Sequence, residues 1–224
     1  MTLYQRLQDV KNRLADSSRR SGRDPEAVTL LAVTKTFSPS CIQEAYDCGL
    51  RSFGENRVQE SLEKMPLLPA DIHWHLIGQL QTNKINKIIG KFELVHSIDS
   101  LELAQALAKR LGSHQQDILL EVNTSGEASK SGVEPQQAIK AAQEIASLSG
   151  LRLRGLMTVG PLTENRHQQR DAFKHLKELF DETVQLMGSH CDILSMGMSG
   201  DFEMAIEEGS TLVRVGSAIF GFRS

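Results

Sequence analysis

Short apolar runs alternate with amphipathic segments along the whole chain, and this alternation restricts the possible folds more than any other feature. A first helix is predicted from apolar residues at helical spacing, Leu3, Leu7, Val10 and Leu14. Eight strands are predicted after it, at 29–35, 50–53, 72–77, 93–97, 117–122, 151–157, 191–195 and 211–215. Helices are predicted between them at 39–48, 55–65, 82–90, 100–111, 135–148, 166–187 and 201–208.

Strands that alternate with helices are typical of a parallel sheet covered by helices. Eight such units in 224 residues predict an α/β protein, a single (β/α)₈ TIM barrel with an additional N-terminal helix. A doubly wound open sheet is the alternative. Because no linker or shift of composition interrupts the pattern, residues 1–224 are expected to form one domain, with no second domain.

Charge and cysteine content exclude several classes of protein. The 25 basic and 28 acidic residues give a net charge of −3 with no basic block, which argues against binding to nucleic acid or an anionic membrane. Cys41, Cys48 and Cys191 are too few and too scattered for a disulfide framework or a zinc cluster. No signal sequence or membrane-spanning run is recognisable, so a cytoplasmic protein is expected, and we expect a monomer.

Lys35 stands at the end of the first predicted strand, Thr29-Leu-Leu-Ala-Val-Thr-Lys35. An amine at the mouth of a barrel lies near apolar surroundings, which disfavour its charged form and make it a nucleophile toward aldehydes and ketones. The alternative is an ordinary solvated lysine after a strand. In a barrel, the segments that follow the other strands meet Lys35 at the same rim.

Two segments after the last strands have the composition of a phosphate site. Ser195–Asp201 combines a strand end, a glycine turn and a helix start, and Val213–Ser217 has a glycine that permits close approach to the backbone. The loops after strands seven and eight commonly bind phosphate in this fold. A simple helix N-cap is the alternative for each segment. Asp201 also argues against phosphate, since a carboxylate favours the same helix terminus.

Seven strings of residues carry a resemblance to a known family. They are Ala32-Val-Thr-Lys-Thr36, Phe53-Gly-Glu-Asn-Arg-Val-Gln-Glu60, Trp74-His-Leu-Ile-Gly-Gln-Leu-Gln-Thr-Asn-Lys84, Val95-His-Ser-Ile-Asp99, Gly155-Leu-Met-Thr158, Ser195-Met-Gly-Met-Ser199 and Val213-Arg-Val-Gly-Ser-Ala-Ile-Phe-Gly221. In this order and spacing, the set resembles the pyridoxal 5′-phosphate homeostasis proteins, the YggS/PROSC family, from near Leu3 to Gly221.

The resemblance implies a barrel similar to the N-terminal domain of alanine racemase. It also implies that pyridoxal 5′-phosphate (PLP) is held as a Schiff base, an internal aldimine, on Lys35. Phosphate contacts are implied for Ser199, Gly200, Gly216 and Ser217, and Arg214 is implied to face the pyridine nitrogen. Asn56 follows the second strand and either reaches the edge of the cofactor ring or stabilises a turn together with Arg57.

Arg214 argues against catalysis. A guanidinium beside the pyridine nitrogen keeps that nitrogen unprotonated, and the ring then withdraws electrons poorly. In related racemases one of the two acid/base groups comes from a second domain, for which this chain has no residues left. We therefore expect a non-catalytic PLP carrier or regulator in vitamin B6 homeostasis, with PLP and PLP-requiring apo-enzymes as candidate partners. An amino-acid racemase and a Schiff-base aldolase acting on a phosphosugar are the alternatives.

Two further features remain open from the sequence. His73 and His75 flank Trp74 and are candidate metal ligands, although packing or a hydrogen bond is the favoured interpretation. The loop at 124–132 either covers the rim as a lid, with Lys130 as a second amine, or is a solvated loop.

Overall fold

The computed structural model describes residues 1–127 and 129–221. The strands are β1 (Thr29–Val33), β2 (Ser52–Glu55), β3 (His73–Leu76), β4 (Leu94–Ile98), β5 (Gln116–Glu121), β6 (Leu151–Met157), β7 (Ile193–Ser195) and β8 (Leu212–Val215). The helices are α1 (Leu3–Arg20), α2 (Pro39–Asp47), α3 (Val58–Lys64), α4 (Ile85–Ile88), α5 (Leu101–Leu111), α6 (Pro135–Ala146), α7 (Arg166–Met187), α8 (Phe202–Glu207) and α9 (Ser217–Phe220). Short 3₁₀ turns lie at Pro25–Ala27, Met65–Leu67 and Thr82–Lys84.

The eight strands pair in sequence order, all in parallel, and β8 pairs with β1 to close the barrel. The closing register aligns Leu31 with Arg214, and the β6–β7 register aligns Met157 with Ser195. The predicted (β/α)₈ barrel is therefore confirmed, and the open sheet is excluded.

The core has two layers, because alternate residues of each strand point inward and outward. The main apolar cluster lies between the strands and the surrounding helices. A smaller cluster inside the barrel contains Leu94, Leu119 and Met157, with Ile193 packed against them. The interior also contains polar side chains, since Arg214, Ser195, His96 and His75 alternate with outward-facing apolar residues. These interior polar groups lead to the site described below.

Helix α1 begins at a capping box, in which Thr2 accepts from the Gln5 amide and the Gln5 side chain accepts from the Thr2 amide. It joins the two ends of the chain: Arg6 Nε donates to the Ile219 carbonyl at 2.7 Å, and Arg13 pairs with Glu203 at 2.9 Å. The predicted N-terminal helix thus packs on α8 and α9, the helices that follow β7 and β8. Among the described residues, no helix combines the length and the apolar character needed to cross a membrane.

Several predicted boundaries differ from those of the structure, and the ends of β1 and β2 are the ones that concern residues near the cavity. Strand β1 ends at Val33, and Lys35 lies in the turn that follows it. Strand β2 extends to Glu55, whereas the sequence predicts a strand that ends at 53 and a turn and helix that include Glu55. The buried Glu55 carboxylate is paired with Lys64 in the strand. Helix α9 was not predicted, since four residues are too few for a helical pattern.

Candidate functional site

A cavity of about 530 Å³ opens at the carboxyl ends of β1, β3, β7 and β8. It is lined by Val33, Lys35, Phe37, Ile77, Met198, Ser199, Gly200, Arg214, Gly216, Ser217 and Gly221. Six of the seven residues assigned to the site from the sequence thus border one space. The apolar residues Phe37, Ile77 and Met198 had not been assigned to it, because nothing in their local sequence separates a cavity wall from ordinary packing.

Asn56 is the seventh assigned residue, and it does not border this cavity. It is half-buried after β2, where its backbone lies against Gly78. A Cβ atom on Gly78 would be 2.2 Å from the Asn56 carbonyl oxygen, so the two chain segments approach more closely than any other residue at position 78 would allow. The close approach holds the turn after β2 against the segment that follows β3.

The loops after β7 and β8 meet through the Ser199 hydroxyl. Its Oγ atom accepts hydrogen bonds from the backbone N–H groups of Gly216 and Ala218, at 3.1 and 3.3 Å. Helix α9 begins at Ser217, so these two N–H groups belong to the start of a short extra helix after the eighth strand. Backbone donors that converge on one oxygen at such a position form a cradle for an anion.

Asp201 stabilises the turn after β7. Its carboxylate accepts from the Met198 N–H at 2.6 Å, and burial raises its pKa. Gly197 in the same turn has φ of +93°, and a Cβ there would lie 2.5 Å from the Ala205 side chain. Glycine at 197 and the Asp201 contact therefore fix the path of the chain toward Ser199.

Arg214 is buried between the cavity and the barrel interior. Its Nη1 donates to Ser195 Oγ at 2.6 Å and its Nη2 donates to the Thr158 carbonyl at 2.8 Å. Burial lowers the pKa of Arg214 to about 10, against the opposing attraction of Glu121 and Asp201. The guanidinium therefore stays protonated at neutral pH, in a fixed orientation.

A chain of hydrogen bonds continues from Arg214 through the barrel. His96 Nδ1 lies 3.1 Å from Ser195 Oγ, and His96 Nε2 lies 2.9 Å from His75 Nδ1. Burial lowers the pKa of His75 to about 4; burial, followed by the charges of His75 and Arg214, lowers the pKa of His96 well below its usual value. Both rings are therefore neutral at pH 7. Arg214 can only donate, so Ser195 Oγ accepts from it, and the neutral rings of His96 and His75 each carry one N–H that donates and one nitrogen that accepts.

His75 ends this chain at a second cavity, of about 410 Å³, at the opposite end of the barrel. His73 borders the same cavity and pairs with Glu93. The described ranges, 1–127 and 129–221, hold no group of three histidine, cysteine or acidic side chains arranged around a metal position. The hydrogen-bond interpretation of the two histidines is confirmed for both residues.

Glu121 is an interior residue that the sequence did not single out. It lies at the end of β5 and is buried, and burial together with the charge of Asp99 raises its pKa to about 7, although Arg214 opposes the shift. The sequence does not indicate this pKa, because it depends on burial and on the charges of Asp99, which follows β4, and Arg214, which lies in β8.

Lys130 is bound to the loop after β6. Its amine donates to the Gly160 carbonyl at 2.7 Å and pairs with Glu127 at 2.9 Å, and Glu127 accepts from the Leu162 N–H at 3.1 Å. Lys130 does not line the cavity that contains Lys35. Ala128 of the 124–132 loop lies outside the described residues.

Comparison with known proteins agrees with this barrel. The family model of the alanine racemase N-terminal domain matches residues 6–224. The pyridoxal phosphate homeostasis protein of Aquifex aeolicus is 43% identical over 226 residues, covering 100% of this chain and 99% of that protein. The protein of the same name from Pseudomonas aeruginosa is 43% identical over 225 residues, covering 99% of this chain and 96% of its own length.

A solved structure of PipY from Synechococcus elongatus, with PLP bound, has a TM-score of 0.82 at 33% identity, covering 98% of this chain and 100% of that chain. The fold is thus that of the alanine racemase N-terminal domain. Within that class, the chain belongs to the family of pyridoxal phosphate homeostasis proteins.

Proposed function

We propose that this protein binds PLP through a Schiff base on Lys35 and serves in PLP homeostasis as a non-catalytic carrier or regulator. The observation that carries the proposal is the joint placement of Lys35, the Ser199–Gly216 cradle and Arg214 around one cavity. The names of the relatives and the PLP-bound PipY structure support the choice of cofactor.

The groups that border the cavity fit the functional groups of PLP. PLP supplies an aldehyde that condenses with an amine, releasing water, and a ring that withdraws electrons from the bound carbon. Lys35 offers the amine. The N–H groups of Gly216 and Ala218, which now converge on Ser199 Oγ, offer donors to a phosphate. Arg214 offers a fixed positive charge for the unprotonated ring nitrogen.

The same Arg214 supports the non-catalytic role. Its bonds to Ser195 and Thr158 hold a protonated guanidinium at the cavity, where it disfavours a proton on the neighbouring ring nitrogen. The neutral His96 and His75 lie deeper in the barrel, outside the cavity lining. A positioned acid/base group typically speeds a proton-transfer step by about 10²–10⁴-fold. Because the two histidines do not line the cavity, neither supplies this effect there.

Amino-acid racemisation is the second candidate, and Glu121 favours it. A buried carboxyl group with a pKa of about 7 is suited to moving protons at neutral pH. Glu121 does not line the cavity, however, and racemisation needs a proton-transfer group on each face of the substrate carbon. We therefore retain the carrier as the primary proposal.

The test compares visible absorption of the PLP-loaded wild type with that of Lys35→Ala and Lys130→Ala. We expect a band that borohydride abolishes in the wild type and in Lys130→Ala, and no such band in Lys35→Ala. Because Lys35 is half-buried at the cavity and not in the core, circular dichroism should report a folded Lys35→Ala protein. An unchanged band in Lys35→Ala would reject the proposal.

A further inference from the structure

The backbone around Lys35 has an unusual conformation. Thr36 is the one non-glycine residue with a positive φ, +69°, among the described residues. Branching at the β-carbon makes this conformation costly for threonine. A backbone of this kind persists when neighbouring groups hold it in place. The contacts on both sides of Lys35 identify those groups.

On one side, Glu60 of helix α3 holds Thr36. The Glu60 Oε1 atom accepts from the Thr36 N–H at 2.5 Å and from the Lys64 amine at 2.6 Å. Because Glu60 and Lys64 are one helical turn apart, both side chains extend from the same face of α3. The turn after β1 is thereby attached to a helix that follows β2.

On the other side, Glu55 and Lys64 hold Thr34. The Thr34 hydroxyl donates to Glu55 Oε1 at 2.8 Å, and the Lys64 amine donates to the Thr34 carbonyl at 3.0 Å. Lys64 also donates to Glu55 Oε1 at 2.9 Å. With the bond to Glu60, these contacts use all three donors of the ammonium group. We call Glu55, Glu60 and Lys64 the Lys35 clamp.

The energetics of the clamp argue against a role in stability alone. Glu55 is fully buried, Lys64 is 6% exposed, and burial raises the pKa of Glu55. Glu55 Oε2 has no hydrogen-bond partner among the described residues, so the desolvation of this carboxylate is only partly offset. Buried ion pairs of this kind are often no better for stability than apolar side chains of similar size. What they specify is geometry, and here the geometry is that of the residues flanking Lys35.

We propose that Glu55, Glu60 and Lys64 are positioning residues that fix the Lys35 backbone in the orientation needed to react with a ligand aldehyde. The inference rests on the proposed function, in which Lys35 binds PLP. The inference also gives a role to Glu55 and Glu60 of the segment Phe53–Glu60, no residue of which lines the cavity that contains Lys35.

The test measures the affinity for two ligands that share a phosphate and a ring. PLP has the aldehyde that Lys35 attacks, and pyridoxine 5′-phosphate lacks it. Lys64→Met removes the centre of the clamp while keeping an apolar stem of similar length. We expect this variant to lose on the order of tenfold in PLP affinity, the effect of one charged hydrogen bond, and to bind pyridoxine 5′-phosphate as the wild type does.

Three further variants separate positioning from a general structural effect. Glu63→Gln changes an exposed glutamate of the same helix and should leave both affinities unchanged. Glu60→Gln keeps an acceptor for the Thr36 N–H and should lose less PLP affinity than Glu60→Ala, which removes it. If Lys64→Met fails to fold, the partly exposed Glu60 pair decides the question.

Three outcomes would overturn the inference. Wild-type PLP affinity in both Lys64→Met and Glu60→Ala would show that the clamp does not act on Lys35. Equal losses for both ligands would show that the clamp merely supports the fold. If the wild type itself bound both ligands equally, Lys35 would add nothing to PLP binding, and the proposed function would fail together with the inference.

Discussion

The guanidinium of Arg214 donates to the hydroxyl of Ser195 at 2.6 Å, inside the barrel and beneath the cavity. This contact joins a group at the cavity to the His96–His75 pair, because Ser195 Oγ also lies within hydrogen-bond distance of His96. The orientation of Arg214 therefore depends on a serine that is not among the residues bordering the cavity.

Ser195→Ala should destabilise the protein by about 1–3 kcal/mol, because it leaves buried donors and acceptors on Arg214 and His96 without their partner. Urea unfolding of the cofactor-free protein measures this change. Ser149→Ala, at an exposed position, is the matched control and should stay within about 0.5 kcal/mol of the wild type. A Ser195 variant as stable as this control would show that the hydroxyl does not hold the interior network together.

Glu121→Gln should make the protein more stable at alkaline pH. The pKa of Glu121 is about 7 in the folded protein and has a usual value of 4.5, so the folded state binds this proton more tightly. The stabilising effect of the raised Glu121 pKa on the folded state is therefore fully present below pH 4.5 and is lost as pH rises through 7.

We compare the free energy of unfolding of Glu121→Gln with that of the wild type. The advantage of the variant should be about 2–3 kcal/mol larger above pH 7 than at pH 4. His75, whose pKa is lowered to about 4, acts in the opposite direction but is common to both proteins. Unfolding free energies of the two proteins from pH 4 to pH 8.5 provide the comparison. A difference that does not change with pH would contradict the raised pKa of Glu121.

Ser199→Ala combined with Gly216→Val should weaken PLP binding but leave the binding of pyridoxal, which lacks the phosphate, much less affected. The first change removes a hydroxyl from the cradle. The second places a Cβ 3.3 Å from the Val33 carbonyl oxygen, which obstructs the backbone beside the cavity. We expect roughly a tenfold loss or more in PLP affinity.

Ser149→Ala is the control for this experiment, since Ser149 is exposed and does not line the cavity. Its PLP affinity should match that of the wild type. If the double variant lost affinity for PLP and pyridoxal equally, the phosphate would not lie between the two loops.

The PLP-loaded protein should not exchange the α-proton of common amino acids at an enzymatic rate. The protonated Arg214 at the cavity and the absence of a second lining acid/base group beside Lys35 among the described residues both oppose carbanion formation. Nuclear magnetic resonance of alanine and serine in deuterium oxide measures the exchange. Rates near ~1–10³ s⁻¹ would instead support the racemase, with Glu121 as its first candidate acid/base residue.

The barrel was predictable because its signal repeats. Each strand is a short apolar run and each helix has an apolar face, so errors of two residues at the ends of β1 and β2 do not change the topology. The error at β2 occurs because a tertiary contact determines where the strand ends. Lys64 pairs with Glu55 and allows this carboxylate to lie in a buried strand, and no local sequence pattern links the two residues.

The site was predictable only in part. Strand ends identify Lys35, Arg214 and the glycine loops, since the fold brings those ends to one rim. The support beneath them was not predictable. The Arg214–Ser195–His96–His75 chain depends on which side chains face each other across the interior, and the Lys35 clamp depends on two acidic residues that resemble ordinary surface charges in the sequence.

The most direct test of the central claim is to identify the amine that binds PLP. The PLP-loaded wild type is reduced with sodium borohydride, digested, and analysed by mass spectrometry for the lysine that carries the reduced cofactor. We predict a single modified peptide containing Lys35, with Lys64 and Lys130 unmodified. A label on Lys130 or another lysine, with Lys35 unmodified, would contradict the account.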